Sequence, residues 1–455
     1  MRKILYDMYP FIDAKNVRFH FQPNKSFISW QVDRPGFQDS GVIVDRIGSD
    51  ILESFNGKNT FTDIINFFSE KYNDTFDNVS KVILKFINNL KNKYNVPVTF
   101  SRIQKSIKVN FTGSKEYIIP PHVAIELTYK CNLSCKHCYV KSDRFRKETM
   151  PLEDIKNILY DLEHMGVRTI ELTGGEPTIH PNFLSILKFA TDLNFDLIAL
   201  LTNGTLLTED IIRFIGNHKN KIVVQIDLHG SNPKYVEWFT NSSVAYQKEI
   251  DTISDLTSEG VMVRVVSSVT PLNIDQMENV AKITKERGAL AVIFSLVVAM
   301  GRAQDWNNEI IFSGKEEKLK FINNMDKLMK TYGAKFVSLL DERKKSLINC
   351  GAGTQSITVS PSGFIKLCQM GKELLGLGNL FETHIQYILK KNKDFFLMLE
   401  NLPAPSPKIC SDCSDIQFCS RCLARGIIKA KKKGDKCIWA KKYILGTPLE
   451  KILLY

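Results

Sequence analysis

An α/β architecture is predicted for this chain by three features of its sequence. From Val123 onward, strand-like and helix-like runs alternate in regular succession. The first hundred or so residues do something else, placing short strand-like runs ahead of amphipathic helices. The ten cysteines are segregated, three lying between Cys131 and Cys138 and seven after residue 349. Together these predict a partial (β/α)6 TIM-like barrel at 118–314. It would be preceded by a winged helix-turn-helix unit at 1–105 and followed by a helical linker at 315–348 and a cysteine-bearing domain at 349–455.

In the first unit, Val17 to Phe21, Phe27 to Val32 and Gly41 to Val44 are short runs bounded by Pro, Asn and Gly, the usual punctuation of strands. Ile47, Ile51, Leu52 and Phe55 then share a helical face that stops at Gly57. Thr60 and Asp63 form a capping pair ahead of a helix carrying Ile64, Ile65, Phe67 and Phe68, and a third helix carries Val79, Val82, Ile83, Phe86, Ile87 and Leu90. Three strands followed by three helices suit either a DNA reader or a peptide-binding module. Lys105 to Pro121 reads as a connector.

Strand candidates in the barrel are Val123–Thr128, Thr169–Thr173, Asp196–Thr202, Ile222–Leu228, Val261–Val269 and Leu290–Val298, with helices beginning near Pro151, Pro181, Thr208, Val244 and Ile274. Repeated βα units imply a parallel sheet with right-handed crossovers. Six of them leave one side open, and chemistry gathers at the C-terminal ends of the strands. Directly after the first strand stand Cys131, Cys135 and Cys138, at spacing C-x3-C-x2-C. Three thiolates on one loop can hold three corners of a four-iron cluster and leave the fourth iron without a protein ligand. Zinc is the plainer alternative, but it wants a fourth Cys or His and usually paired C-x2-C units.

This loop resembles the signature of the radical S-adenosylmethionine (radical SAM) enzymes. The resemblance implies that the cofactor chelates the free iron, and that a 5′-deoxyadenosyl radical takes a hydrogen atom from substrate. Gly174, Gly175 and Glu176, at the second strand end, resemble the family motif that binds the amino group of the cofactor's methionine. Asn203 lies in a turn like the family's third-strand turn. Asp227 and His229 stand where many relatives have Ser and Asp, a departure from the pattern. Arg264 and Ser267 on the fifth strand are candidates for the cofactor carboxylate, with a structural ion pair the alternative for the arginine. Gly301 is a candidate for backbone contact to the adenine, and Tyr139 for stacking on the purine or for plain packing. His137 is expected to orient the loop.

In the last domain, Gln355 to Ser360 and Phe364 to Leu367 read as a hairpin around Pro361-Ser362-Gly363, between Cys350 and Cys368. A C-x2-C-x5-C-x2-C cluster, Cys410, Cys413, Cys419 and Cys422, precedes Cys437. Two C-x2-C pairs also suit a zinc ribbon, although five intervening residues are short for one. The pattern resembles the SPASM extension, named for subtilosin, pyrroloquinoline quinone, anaerobic sulfatase and mycofactocin maturases. That likeness implies two auxiliary four-iron clusters, making three 4Fe-4S clusters with the radical one. Cys410, Cys413, Cys419 and Cys437 would hold one, and Cys350, Cys368 and Cys422 the other.

With 455 residues, 44% apolar and 24% charged, the chain reads as globular with two or three domains. No run approaches the roughly 18 apolar residues of a membrane span, and Asp7 and Pro10 interrupt any secretory signal. Segregated cysteines without an export signal argue for metal ligands in the cytoplasm. The net charge of +12 is scattered, without an Arg-rich arm, so neither membrane nor nucleic acid is expected as a partner.

The order of parts, with Asn349 to Gly353 and the run Leu375 to Phe381, most resembles the subtilosin-type sactipeptide synthases. The first unit likewise resembles the leader-recognition domains, similar to the small chaperone of pyrroloquinoline quinone synthesis, that are fused to such enzymes. These resemblances imply a maturase that installs thioether crosslinks in a ribosomally made, leader-bearing precursor peptide. They also imply an electron donor such as flavodoxin or ferredoxin. Another radical peptide modification, or an iron-sulfur DNA-binding regulator, would use the same parts differently.

Overall fold

The computed structural model describes residues 5–31, 40–105, 107–339, 348–371 and 377–453. Val32, residues 340–347 of the expected linker and residues 375–376 of the run noted above lie outside them. The chain divides into two compact units, Met1–Ile119 and Pro120–Tyr455.

The first unit begins with β1 (Tyr9–Ile12), β2 (Lys15–Phe21), β3 (Lys25–Gln31) and β4 (Ser40–Asp45). Helices α1 (Arg46–Ser54), α2 (Phe61–Tyr72) and α3 (Phe76–Tyr94) follow, then β5 (Val98–Ser101) and β6 (Val109–Gly113). β2, β3 and β4 pair antiparallel, and the alternation of Val17, Phe19 and Phe21 puts all three on the buried face. The capping box forms: Thr60 N–H donates to Asp63 Oδ2 at 2.9 Å and Asp63 N–H to Thr60 Oγ1 at 3.1 Å. Two expectations change. The connector supplies a fourth strand, with β6 parallel to β2, and β5 closes antiparallel on β1. Ile47, Phe67 and Val82 are 49%, 57% and 61% exposed, so they sit outside the core that their apolar character suggested. In α1 the reason is visible: Gly48 and Ser49 are the buried pair, with Ser49 Oγ 2.8 Å from Ser26 Oγ on β3.

The second unit alternates strands and helices. Its elements run β7 (His122–Thr128), α4 (Leu152–His164), β8 (Thr169–Gly174), α5 (Phe183–Asp192), β9 (Leu197–Thr202), α6 (Glu209–Asn217) and β10 (Ile222–Asp227). They continue with α7 (Pro233–Thr240), α8 (Ala245–Ser258), β11 (Met262–Val269), α9 (Met277–Glu286), β12 (Ala291–Leu296), α10 (Lys315–Tyr332) and β13 (Val337–Leu339). Each of the six expected strands is present. α7, started by Pro233 behind the Asn232 cap, was not anticipated.

The sheet is wider than six strands, with order β13-β12-β11-β10-β9-β8-β7-β14-β15. β14 (Ser356–Val359) and β15 (Ile365–Lys366) form the expected hairpin, but β14 also runs parallel to β7, Ser356 opposite His122 and Val359 opposite Ile125. The segment after residue 349 is thereby built onto the sheet edge beside β7, within the same compact unit. Farther along, α11 (Ile385–Lys391) and α12 (Lys393–Asn401) are followed by α13 (Leu423–Lys433), with Cys422 as its N-cap. Among the described residues no helix is long and apolar enough to cross a membrane.

Candidate active site

The cysteine loop is held by backbone from several directions. Cys131 N–H donates to Asp143 O at 2.9 Å, and the N–H groups of Ser134 and Lys136 donate to Thr240 O and Phe239 O at the end of α7. Arg302 Nη1 and Nη2 donate to Cys135 O and Ser142 O, each at 2.7 Å, while Arg302 N–H reaches Cys138 O at 2.9 Å. Two glycines make the close approach possible. A Cβ on Gly175 would stand 2.4 Å from Lys130 O, and one on Gly301 would stand 2.4 Å from Cys138 O and Tyr139 O. Gly301 therefore packs against the loop backbone.

The sulfurs receive N–H donors: Leu133 N at 3.4 Å and Asn203 Nδ2 at 3.8 Å from Cys131 Sγ, and Ser142 N at 3.3 Å from Cys138 Sγ. Burial, then the Glu176 charge, pushes the Cys131 thiol up to about 12, and burial holds Cys135 well above the ordinary thiol range. Burial thus favours the neutral form of Cys131 and Cys135, and ligating a metal would release their protons. His137 lies flat on Phe239 at 4.9 Å, with its edge toward His229 at 4.6 Å. Burial pushes His137 down to about 4 and His229 well below its usual value, leaving both neutral.

The other expected residues divide into those that line the cavity beside the loop and those that do not. Tyr139, Gly174, Gly175, Asn203 and Asp227 line it. The Asp227 carboxyl is pushed up to about 7, by burial first and the Glu176 charge second. Glu176 is fully buried, and its carboxylate is already occupied. Oε1 accepts from Thr178 N, Thr178 Oγ1 and Thr202 Oγ1, and Oε2 accepts from Asn203 N. Through Thr202 and Asn203 it positions the β9 turn. On β11, Val266 and Ser268 line the cavity, while Ser267 has the opposite parity and lies outside the lining. Arg264 shares the parity of Ser268 but lies outside the lining.

All ten cysteines are free thiols. The cavity, about 540 Å³, is lined by Cys131, Cys135 and Cys138 and also by Cys350, Cys368 and Cys422. Cys368 is pushed up to about 12 by burial, with Cys422 and Cys350 adding like charge. Outside the cavity, Cys410 is raised by burial and by the neighbouring Cys413 and Cys437 thiols; Cys419, up to about 12, feels burial, Asp415 and the same two thiols. Cys350, Cys368 and Cys422 thus face the cavity, while Cys410, Cys413, Cys419 and Cys437 neighbour one another outside it. Among the described residues, no three His, Cys, Asp or Glu side chains converge on a point as ligands of one ion would. Clustered free thiols with N–H donors at sulfur fit multi-iron groups.

Several polar residues were missed. Lys366 on β15 is 2% exposed, with Nζ 2.9 Å from both oxygens of Glu126 on β7, and Tyr129 Oη donates to Glu126 Oε2 at 2.8 Å. A carboxylate inside the apolar run of β7 was the available signal. Gln369, next to Cys368, donates to Glu171 Oε1 and accepts from Tyr139 Oη at 3.3 Å; Glu171 Oε2 lies 3.5 Å from His122 Nε2. Behind Cys135, Glu249 is fully buried with neither oxygen hydrogen-bonded among the described residues, and burial holds it well above the carboxylate range.

Comparison with known proteins adds to this geometry. The chain is 28% identical over 441 residues to the antilisterial bacteriocin subtilosin biosynthesis protein AlbA of Bacillus subtilis, covering 95% of this chain and 96% of that protein. It is 24% identical over 197 residues, 43% of its length and 47% of the other's, to the sporulation killing factor maturation protein SkfB of the same organism. Its fold is similar to that of Streptococcus suis SuiB bound to the precursor peptide SuiA, with TM-score 0.62 and 13% identity over 92% of this chain and 97% of that one. Residues 125–285 match the radical SAM superfamily. The chain is an enzyme that over residues 125–285 matches that superfamily, whose members bind S-adenosylmethionine and a four-iron, four-sulfur cluster.

Proposed function

We propose that this enzyme joins sulfur to carbon in a ribosomally made, leader-bearing precursor peptide. The observation that carries the reading is the single cavity with three cysteines of the first loop on one part of its wall and three of the last domain on another. Similarity to AlbA over nearly the whole chain supports the same class, and the peptide-bound relative of like fold supports a peptide substrate.

Cys131, Cys135 and Cys138 would hold the radical cluster. Cys350, Cys368 and Cys422 would hold one auxiliary cluster, and Cys410, Cys413, Cys419 and Cys437 another. When bound, the cluster and cofactor supply a carbon-centred oxidant that removes a hydrogen atom from the peptide. The chain's own residues do the placing. Asn203 and Asp227 present an amide and a carboxyl to the cofactor, Glu176 fixes the turn that carries Asn203, and Arg302 clamps the loop carbonyls. The Cys350 side of the cavity would receive the substrate sulfur. The 1–105 unit is assigned to leader recognition, the peptide adding as a strand to a sheet edge. Residues 118–314 are assigned to the radical core, 315–348 to a linker and 349–455 to the SPASM domain. A cytoplasmic flavodoxin or ferredoxin would supply electrons.

The test is mass spectrometry of a short Cys-containing peptide encoded beside this chain, after incubation with the anaerobically reconstituted enzyme, S-adenosylmethionine and reductant. The expected product is two hydrogens lighter per link, with fragmentation placing sulfur on carbon. A peptide recovered unchanged, or joined carbon to carbon, overturns the reading.

A further inference from the structure

Forming a thioether from S–H and C–H leaves a proton to be placed. In R–SH + R′–H → R–S–R′ + H• + H⁺ + e⁻, the hydrogen atom goes to the cofactor-derived oxidant and the electron to an iron-sulfur acceptor. The proton from sulfur needs a base. This inference rests on the function proposed above and asks which side chain that base is.

His122 opens β7, lies opposite Ser356 on β14, and lines the same cavity as both cysteine groups. Its side chain is 31% exposed, and Nε2 lies 3.5 Å from Glu171 Oε2. Glu171 is held in turn by Gln369, the residue after Cys368, and Gln369 by Tyr139, the residue after Cys138. An imidazole backed by a carboxylate therefore stands on a polar chain that touches the backbone segments of both groups. The other cavity-lining candidates are less suited. Arg421 and Arg425 cannot accept a proton. Burial disfavours a charged His137, packed flat on Phe239. Asp227 stands with Asn203 on the part of the wall assigned to the cofactor. Charged groups on the elements around His122 are Glu171 on β8, Arg168 paired with Asp196, and the Glu126–Lys366 pair on β7 and β15, while β14 presents uncharged Ser356 and Thr358.

We propose that His122, oriented by Glu171, accepts the proton that the substrate sulfur gives up as the thioether forms. Wild-type holoenzyme, His122→Gln, His122→Ala and Glu171→Gln would each be given the neighbour-encoded Cys-containing peptide, with iron per chain measured first. His122→Gln is expected to keep wild-type iron but form crosslink about 10²- to 10⁴-fold more slowly, the span of a lost general base. Added imidazole should restore part of the His122→Ala rate and none of the Glu171→Gln deficit, which is a loss of orientation. Crosslinking by His122→Gln within twofold of wild type, or no rescue of His122→Ala, overturns the assignment while the thioether reading stands. A wild-type product without a sulfur–carbon bond overturns both.

Discussion

The two cysteine groups that face the cavity are assembled in opposite ways. Cys131, Cys135 and Cys138 occupy one loop at one strand end, where backbone hydrogen bonds from α7, the Asp143 turn and Arg302 fix the loop from outside. Cys350, Cys368 and Cys422 come from three separate segments, and the hairpin between Cys350 and Cys368 is joined to the barrel by β14 on β7 and by Lys366 on Glu126. A local loop carries its geometry with it. A distributed group depends on the tertiary contacts that join its segments, so perturbing those contacts should damage the second group before the first.

Cysteine replacement gives the largest expected effect. Changing Cys131, Cys135 and Cys138 together to Ala should abolish 5′-deoxyadenosine formation in chromatographic assays. Changing Cys350, Cys368 and Cys422 together should abolish the crosslink while lowering cofactor cleavage by a much smaller factor. Equal loss of cleavage in the two triple variants would mean that the groups act as one and would erase the distinction.

Next in size is the tie between them. Lys366→Met leaves the Glu126 carboxylate buried with its cation gone, which costs about 3–5 kcal/mol. Adding Glu126→Leu removes the stranded charge and should restore most of that loss in urea unfolding of the cluster-free protein. If the single change proves neutral, the hairpin is anchored by something other than this pair. Iron retention sharpens the contrast: Lys366→Met should release iron from the Cys350 group more readily than from the Cys131 group.

The same contrast explains what the sequence made legible. The first loop was readable because ligand spacing is a local property, and the C-x2-C pairs and the glycine turn around Gly363 were readable for the same reason. The union of β14 with β7 was not, since parallel pairing between distant segments leaves no local trace. β6 escaped notice likewise: Val109 to Gly113 is short and becomes a strand only beside β2. Within β11 nearly every residue is apolar or small, so alternation could not tell Ser267 from Ser268. Lys366 and His122 carry ordinary surface residue types, and only their partners make them structural or chemical. The exposed Phe67 and Val82 were misplaced for a related reason, because an apolar residue at helical spacing does not declare which face has a neighbour.

The smallest expected effect concerns a device common to both regions. Beside the first loop, Arg146 holds Glu148 at 2.7 Å, and Glu148 O accepts the N–H of Tyr129, two residues before Cys131. Beside the late cysteines, Lys429 and Lys433 hold Asp415 at 2.8 and 2.5 Å, and Lys433 Nζ lies 3.7 Å from Cys413 Sγ. Each carboxyl is held below its ordinary range by hydrogen bonds from its cations, Glu148 down to about 2 from 4.5. A carboxyl lowered on folding stabilises the folded state above its unfolded value, and that contribution disappears as the pH falls through the folded one. Glu148 is 40% exposed, so solvent screening limits the effect to about 0.2–1 kcal/mol. Glu148→Gln should therefore melt slightly below wild type at pH 6, and the gap should close as the pH is lowered from 4.5 toward 2. A gap that stays constant over that range would assign the loss to the altered side-chain packing on the loop, and would leave the charge of the pair without a role in holding the first cysteine group.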